Sequence, residues 1–397
     1  MSVMFESVSI GKMEIKNRFV HAATHEVMAS DDGQVTDAIL KRYKNIAKGE
    51  VGLIIPGHMY VHPLGNAHHA QMGIHRDGMI PGLKQLADTI HENGGKVAFQ
   101  LAHGGRQTPK KIIGTAPLAP SGQGIDPVSM NKPQQMTEEM IETTICAFAS
   151  AAGRATEAGA DAVEIHAAHG YLISEFLSPF FNRRRDKWGG SDENRFRFLG
   201  DIVSRVKERL PEDKPVFVKM NANDFTPFNK GITPELAATY AGWLNEAGAG
   251  AVEISCGTYY SFHTMRGDIP VPELAAGLPK WMRPVAKIKM SLQKKGNTFF
   301  HAYNLDAAKT IRPSAGDMKL ILVGGMRKLS QMEDIVSQGH ADLISMSRPL
   351  IREPFLVRRF KEKKSTEASC INCNKCLAAM FNEMPVKCYE NGLPNFK

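Results

Sequence analysis

The stretch EIHAAHGYL carries two histidines and a tyrosine, His166, His169 and Tyr171, where a strand-like run, DAVEIHA, gives way to a loop. Such a set can clip a metal, act as acid and base, or fill a strand end with polar side chains. The histidines are spaced one residue short of the i, i+4 pair of a helical zinc site. No acidic residue or third histidine is placed to complete a ligand set, which argues against a metal. A pair of histidines satisfied by local hydrogen bonds is the bland alternative. Tyr171 favours chemistry, because two imidazole donors and a phenol can grip an oxygen and supply a proton.

Two further groupings have chemical potential. ILVGGMR and ISMSRPL place Gly324, Gly325, Ser347 and Arg348 at the ends of two strand-like runs. Backbone N–H groups of a glycine turn beside a basic side chain suit a phosphate, although glycine pairs are also common turn formers. The tail, CINCNKCLAAMFNEMPVKCYEN, has the spacing C-x2-C-x2-C-x11-C at Cys370, Cys373, Cys376 and Cys388. Four thiolates so placed suit zinc or a 4Fe–4S cluster, with metal-free thiols as the alternative. Spacing alone does not choose between the metals.

Something must position these groups. Eight strand candidates run along the chain at 18–23, 52–57, 96–102, 161–167, 215–221, 251–257, 319–325 and 342–348. Helical patterns separate them at 37–48, 81–94, 137–158, 193–210, 234–247, within 280–312, and at 329–338, with a last one at 353–362. This alternation predicts an α/β fold, a (β/α)8 TIM barrel over residues 1–363, with a C-terminal cysteine-containing extension over 364–397. The near-repeat GADAVEIHAAHGY and GAGAVEISCGTYY fits two equivalent turns of one barrel. The stretch from Tyr259 to Asp317 is too long for a simple connection and predicts a loop over the mouth plus an extra helix. Alternation within the strands places Gln100, Glu164, His166, Lys219, Glu253 and Ser255 on the parity facing the barrel interior. Polar groups there must pair with one another or with a ligand.

Composition narrows the partners. The chain has 397 residues, is 43% hydrophobic and 23% charged, and carries a formal charge of +8. The cationic excess is scattered, and its densest runs, Arg183–Arg185 and Arg358–Lys364, lack the interleaved aromatics of a nucleic-acid surface. No apolar run reaches the roughly 18 residues of a membrane span. The N-terminus shows no signal-peptide pattern, so a cytoplasmic location is expected.

The blocks IKNRFVHAATHE, LIIPGHMYVHPLG, FQLAHGGRQ, PLAPS, EIHAAHGYLISEFLSPFFNRRRDKWGGSDENRFRF and VGGMR, in that order, resemble the old yellow enzyme family of FMN-dependent oxidoreductases. The tail is similar to the iron–sulfur segment of the 2,4-dienoyl-CoA reductase and trimethylamine dehydrogenase branch. By this resemblance, Ala22, Ala23 and Thr24 line the flavin through the backbone, with Gly57 beside it. Gln100 meets its pyrimidine edge, and Lys219 stands where many relatives have arginine. Gly324, Gly325, Ser347 and Arg348 hold the FMN phosphate, and Cys370, Cys373, Cys376 and Cys388 hold a 4Fe–4S cluster. His166 and His169 then grip the carbonyl oxygen of an enone or enoate, and Tyr171 protonates Cα. His25 and His263 are auxiliary acids. The implied activity is ene reduction, with amine oxidation or a substrate-free FMN/Fe–S electron-transfer subunit as rivals. The histidine-rich loop His58 to His69 is expected to face the substrate. No G-x-G-x-x-G follows a strand, so electrons are expected from NAD(P)H directly or from a separate electron-donor protein. Homo-oligomerisation is also expected.

Overall fold

The computed structural model describes residues 2–122, 124–126, 130–258, 265–294 and 296–394. Eight parallel strands form its centre: β1 (Phe19–His21), β2 (Leu53–Ile54), β3 (Lys96–Ala102), β4 (Ala162–Ala167), β5 (Val216–Asn221), β6 (Ala251–Ser255), β7 (Lys319–Val323) and β8 (Leu343–Met346). Each pairs with the next, and β8 pairs back onto β1 through Ile344 opposite Phe19, which closes the sheet. The surrounding helices are α1 (Asp37–Lys48), α2 (Ile80–His91), α3 (Glu138–Glu157), α4 (Asp192–Lys207), α5 (Pro234–Glu246), α6 (Leu305–Ile311), α7 (Leu329–Ser337) and α8 (Leu356–Lys361). This is the expected (β/α)8 barrel.

Local chemistry explains where the helices begin. Thr137, Ser191 and Thr233 each accept, through the side-chain oxygen, the amide N–H three residues on, and so cap α3, α4 and α5. Pro234 then occupies the first turn of α5, where its missing N–H costs nothing.

Strand parity sorts the interior. Val97, Phe99, Val163, Ile165, Val218 and Ile254 face the helices and join the main core. The opposite parity begins apolar, with Val20, Leu53, Ala98, Phe217, Ile321 and Leu343 inside the barrel. Beneath them lies an N-terminal hairpin, Val8–Ile10 paired antiparallel with Met13–Ile15, whose Val8, Ile10, Met13 and Ile15 plug the bottom of the barrel. Above this apolar layer the same parity turns polar and opens toward the mouth at the strand C-termini.

The long β6–α6 connection holds helices Val271–Ala276 and Arg283–Lys294. The C-terminal extension returns to it. Helix Lys375–Phe381 packs Leu377 and Ala378 against Ile269 and Leu274 of the connection. Among the described residues no helix is long and apolar enough to cross a membrane.

Candidate active site at the barrel mouth

The HAAHGY loop leaves β4 in a tight turn. His169 (φ 63°) and Gly170 (φ 75°) both adopt the left-handed conformation, unusual for a residue with a side chain and held here by its surroundings. Asn221 Oδ1 accepts the His169 N–H at 3.2 Å, and Gln107 Nε2 donates to the His169 carbonyl at 2.9 Å. The His169 ring meets Ser255 Oγ through Nε2 at 2.7 Å. The Ala168 N–H donates to His166 Nδ1 at 3.3 Å, which leaves the proton of a neutral ring on Nε2. His166 stands ring to ring with His169 and Tyr171, with centroids 5.1 and 4.9 Å away.

Three more histidines join this group. His58 lies 5.7 Å from His166 and 5.3 Å from Tyr171, and His25 stacks on His68 at 4.7 Å. His68 Nε2 is 2.7 Å from the Tyr171 hydroxyl. The sequence pointed to His25 and to the loop His58–His69 as a whole, but not to His58 and His68 individually. His263 lies outside the described residues.

Burial decides the charges. It pushes His166 well below the ordinary imidazole range, helped by His169 and His58, and pushes His169 to about 3 and His68 to about 4. Burial raises the Tyr171 phenol, so it keeps its proton. The mouth is therefore a set of neutral imidazoles around a protonated phenol. Among the described residues no group of three or more His, Cys, Asp or Glu is arranged to hold a metal ion.

Below this lies a buried polar layer. Gln100 Nε2 donates to Glu164 Oε2 at 2.5 Å, and Lys219 Nζ lies 3.2 Å from Glu253 Oε1. Burial, then the charge of Glu253, raises the Glu164 carboxyl well above the usual range. One lysine and two carboxylates are neutral together when the acids retain one proton between them. On the β1–β2 side, Thr24 Oγ1 bonds the Ala22 carbonyl at 3.0 Å and Ser347 Oγ at 2.7 Å, tying β1 to the end of β8. Ala23 packs against the inner apolar layer. The Gly57 N–H is bonded by Glu26 Oε1 (2.7 Å) and the Tyr43 hydroxyl (2.9 Å). A side chain at 57 would collide with the Glu26 carboxylate.

At the ends of β7 and β8 lies a cavity of about 450 Å³, lined by Gly324, Gly325, Arg327, Ser345, Ser347 and Arg348 among others. Both glycines have positive φ, 123° and 72°. The lining holds two arginines and no carboxylate, and the buried Ser345 Oγ has no hydrogen-bond partner. Those features fit a phosphate dianion, and hence the phosphate end of a flavin mononucleotide. Next to it, Cys370, Cys373, Cys376 and Cys388 all line one cavity of about 320 Å³. All four thiols are free, and burial pushes Cys376 up to about 11. Among the described residues no group of three or more His, Cys, Asp or Glu is arranged to hold a metal ion, these four cysteines included.

Known proteins share this barrel. The NADH:flavin oxidoreductase / NADH oxidase family matches residues 3–269 and 281–367. The chain is 36% identical over 369 residues to an NADPH dehydrogenase of Bacillus subtilis (strain 168), covering 92% of this chain and 96% of that protein. It is 32% identical over 397 residues to an NADH oxidase of Thermoanaerobacter brockii, covering 98% of this chain but 56% of the relative. The structure of a 2-naphthoyl-CoA reductase in complex with 2-naphthoyl-CoA superposes with a TM-score of 0.85 at 26% identity, over 98% of this chain and 56% of that one. The chain thus spans about half the length of two of these relatives. A closed parallel barrel with a phosphate-type pocket at the β7–β8 ends and a sequence match along nearly its whole length lead to one conclusion: the chain belongs to the NADH:flavin oxidoreductase / NADH oxidase family, the old yellow enzyme group of FMN-dependent oxidoreductases.

Proposed function

We propose that the protein is an ene-reductase that saturates the C=C bond of an α,β-unsaturated carbonyl compound. The observation that carries this reading is the assembly of His166, His169 and Tyr171, ring to ring and uncharged, over the barrel mouth. Gly324, Gly325, Ser347 and Arg348 would hold the FMN phosphate. Ala22, Ala23, Thr24 and Gly57 would line the ring system, and Gln100 and Lys219 would meet its pyrimidine edge. When bound, FMN supplies the hydride. His166 donates its Nε2 proton in a hydrogen bond to the substrate carbonyl oxygen, and His169 completes the grip while Ser255 fixes its ring. This hold stabilises the enolate-like charge that grows as Cβ accepts hydride. Tyr171 then delivers its proton to Cα, and His68 steadies the phenol oxygen. His25, stacked on His68, is an auxiliary acid.

Residues 364–397 would form a cysteine segment carrying a 4Fe–4S cluster and receiving electrons from a separate donor protein, with NAD(P)H as the direct alternative. The relative whose complex with 2-naphthoyl-CoA is known supports thioesters as one form of the substrate class. The test is to reduce FMN-loaded protein anaerobically and add 2-cyclohexenone. The oxidised flavin spectrum should return in the wild type and not in His166→Ala/His169→Ala. Equal reoxidation in both would overturn the proposal, and no reoxidation in either would favour an electron-transfer subunit.

A further inference from the structure

The phosphate-type cavity and the four-cysteine cavity share a wall. Arg348 and Asn372 line both. Asn372 and Asn374, which alternate with the cysteines in CINCNKC, adopt left-handed φ values of 56° and 57° and are 3% and 2% exposed. Asn374 is fully committed. Its Oδ1 accepts from Arg348 Nη1 at 2.6 Å, and its Nδ2 donates to the carbonyls of Met265 (2.9 Å) and Asp268 (2.8 Å). Arg348 Nη1 also donates to the Arg266 carbonyl at 2.8 Å. The Asn372 carbonyl accepts the Asp268 N–H at 3.0 Å, and its side-chain Oδ1 accepts from Cys370 Sγ at 3.9 Å. Its side-chain Nδ2 is buried without a partner in the wall of the phosphate-type cavity.

A buried amide donor with nothing to bond is costly unless a ligand satisfies it. A phosphate oxygen is such a ligand. The neighbouring asparagine holds the guanidinium that faces the same cavity.

We infer that the cysteine loop completes the FMN phosphate site, with Asn372 as a phosphate donor and Asn374 as the positioning residue for Arg348, so that filling the four-cysteine cavity and retaining FMN are linked. The inference rests on the reading of the β7–β8 cavity as the phosphate site. The linkage is physical: Cys370, Cys373 and Cys376 flank both asparagines, and whatever binds their sulfurs fixes the backbone that aims the two side chains. Linkage is reciprocal, so FMN equally favours the occupied cysteine cavity.

The test is fluorescence-quenching titration of apoprotein with FMN and, in parallel, with riboflavin, which lacks the phosphate. Asn372→Gly and Asn374→Gly keep the left-handed backbone and remove the side chain. Each should weaken FMN by about tenfold, the scale of one charge-assisted hydrogen bond, and leave riboflavin unchanged. Arg348→Ala separates the two ideas. If it weakens FMN while both asparagine variants bind normally, the cysteine loop has no part in the site. If it too leaves FMN affinity intact, the phosphate reading itself fails and the inference falls with it. Should the glycine variants not fold, wild-type protein decides. Chains loaded anaerobically with iron and sulfide should bind FMN more tightly than metal-free chains, and equal affinity, or no uptake of iron, overturns the linkage.

Discussion

Consider Glu253→Gln, which removes one of the two acids facing Lys219. In the native barrel the lysine and Glu253 are 3.2 Å apart with side chains 4% and 0% exposed, so water cannot replace either partner. Glu164 sits in the same layer with a raised carboxyl, in part because Glu253 is charged. When Glu253 becomes an amide, the reason for Glu164 to stay protonated weakens, and Glu164 ionises and becomes the counter-charge. The single variant then loses about 1–2 kcal/mol, the difference between a direct and a displaced charge-assisted contact. Glu164→Gln alone costs a similar amount, about 1 kcal/mol, because the original ion pair survives. The double variant leaves Lys219 without a carboxylate in a dry interior and should cost about 3–5 kcal/mol, more than the sum of the singles. Urea unfolding of the apoproteins followed by circular dichroism reads all four values. A pH series adds a signed check. An acid whose folded value is raised binds its proton more tightly when folded, so its contribution to stability is lost as pH rises above 4.5 toward the raised value. The difference in stability between wild type and Glu253→Gln should therefore shrink as pH rises through that window, since the variant no longer holds the extra proton. Strict additivity, or a single Glu253→Gln as costly as the double, would refute the idea that one acid can replace the other.

Other expectations concern the mouth and the cavity. Tyr171→Phe should slow enone-driven flavin reoxidation at least about a hundredfold while leaving flavin reduction unchanged, as stopped-flow traces would show. Because the imidazoles titrate far below neutrality and the phenol far above, that reoxidation rate should stay flat from about pH 6 to 9, and a limb near the ordinary histidine value of about 6.5 would contradict the neutral assignment. Ten described histidines have lowered values with burial as the largest cause, and the seven most strongly shifted are His21, His25, His58, His68, His103, His166 and His169. The unfolded chain protonates each near 6.5 and the folded one does not, so stability is lost as pH falls below that value. The loss is up to about 1.4 kcal/mol per pH unit for each, which predicts cooperative acid unfolding not far below pH 5 by circular dichroism. Gly324→Ala places a Cβ 2.7 Å from the Tyr303 ring at a φ of 123°, and should cut FMN affinity more than about tenfold in a quenching titration while riboflavin binding changes little.

The barrel was legible because its strands obey a strict period of two and its helices carry clear starts such as Thr137 and Thr233. The same parity put Gln100, Glu164, Lys219 and Glu253 in one layer, although it could not say which acid pairs with the lysine, since that depends on neighbouring strands and their register. The hairpin at the barrel bottom went unread because two three-residue strands, Val8–Ile10 and Met13–Ile15, are too short for alternation to register. β2, at two residues, stood out only because its flanks are apolar. His58 and His68 were visible as part of a histidine-rich loop, but their approach to Tyr171 depends on how that loop folds over the mouth. The cysteine spacing pointed to a common cavity. It held no sign that Asn372 also lines the phosphate-type cavity or that Asn374 holds Arg348, and the only available hint was a pair of asparagines where left-handed turns need them.

Closure of the sheet by β8 on β1 also sets an order of events during synthesis. Phe19 finds its partner Ile344 only after more than three hundred further residues have been made, and Thr24 must wait as long for Ser347. Until then the emerging chain carries an open sheet with two unpaired strand edges, a sticky state of the kind that invites wrong pairings. The pocket at the ends of β7 and β8 exists only once β8 has been made, and the cysteine loop that walls it comes later still. A flavin therefore has no phosphate site to hold until β8 and Arg348 have been made, and chains cut short anywhere before β8 should be cleared as aggregates rather than persist as partly active enzyme.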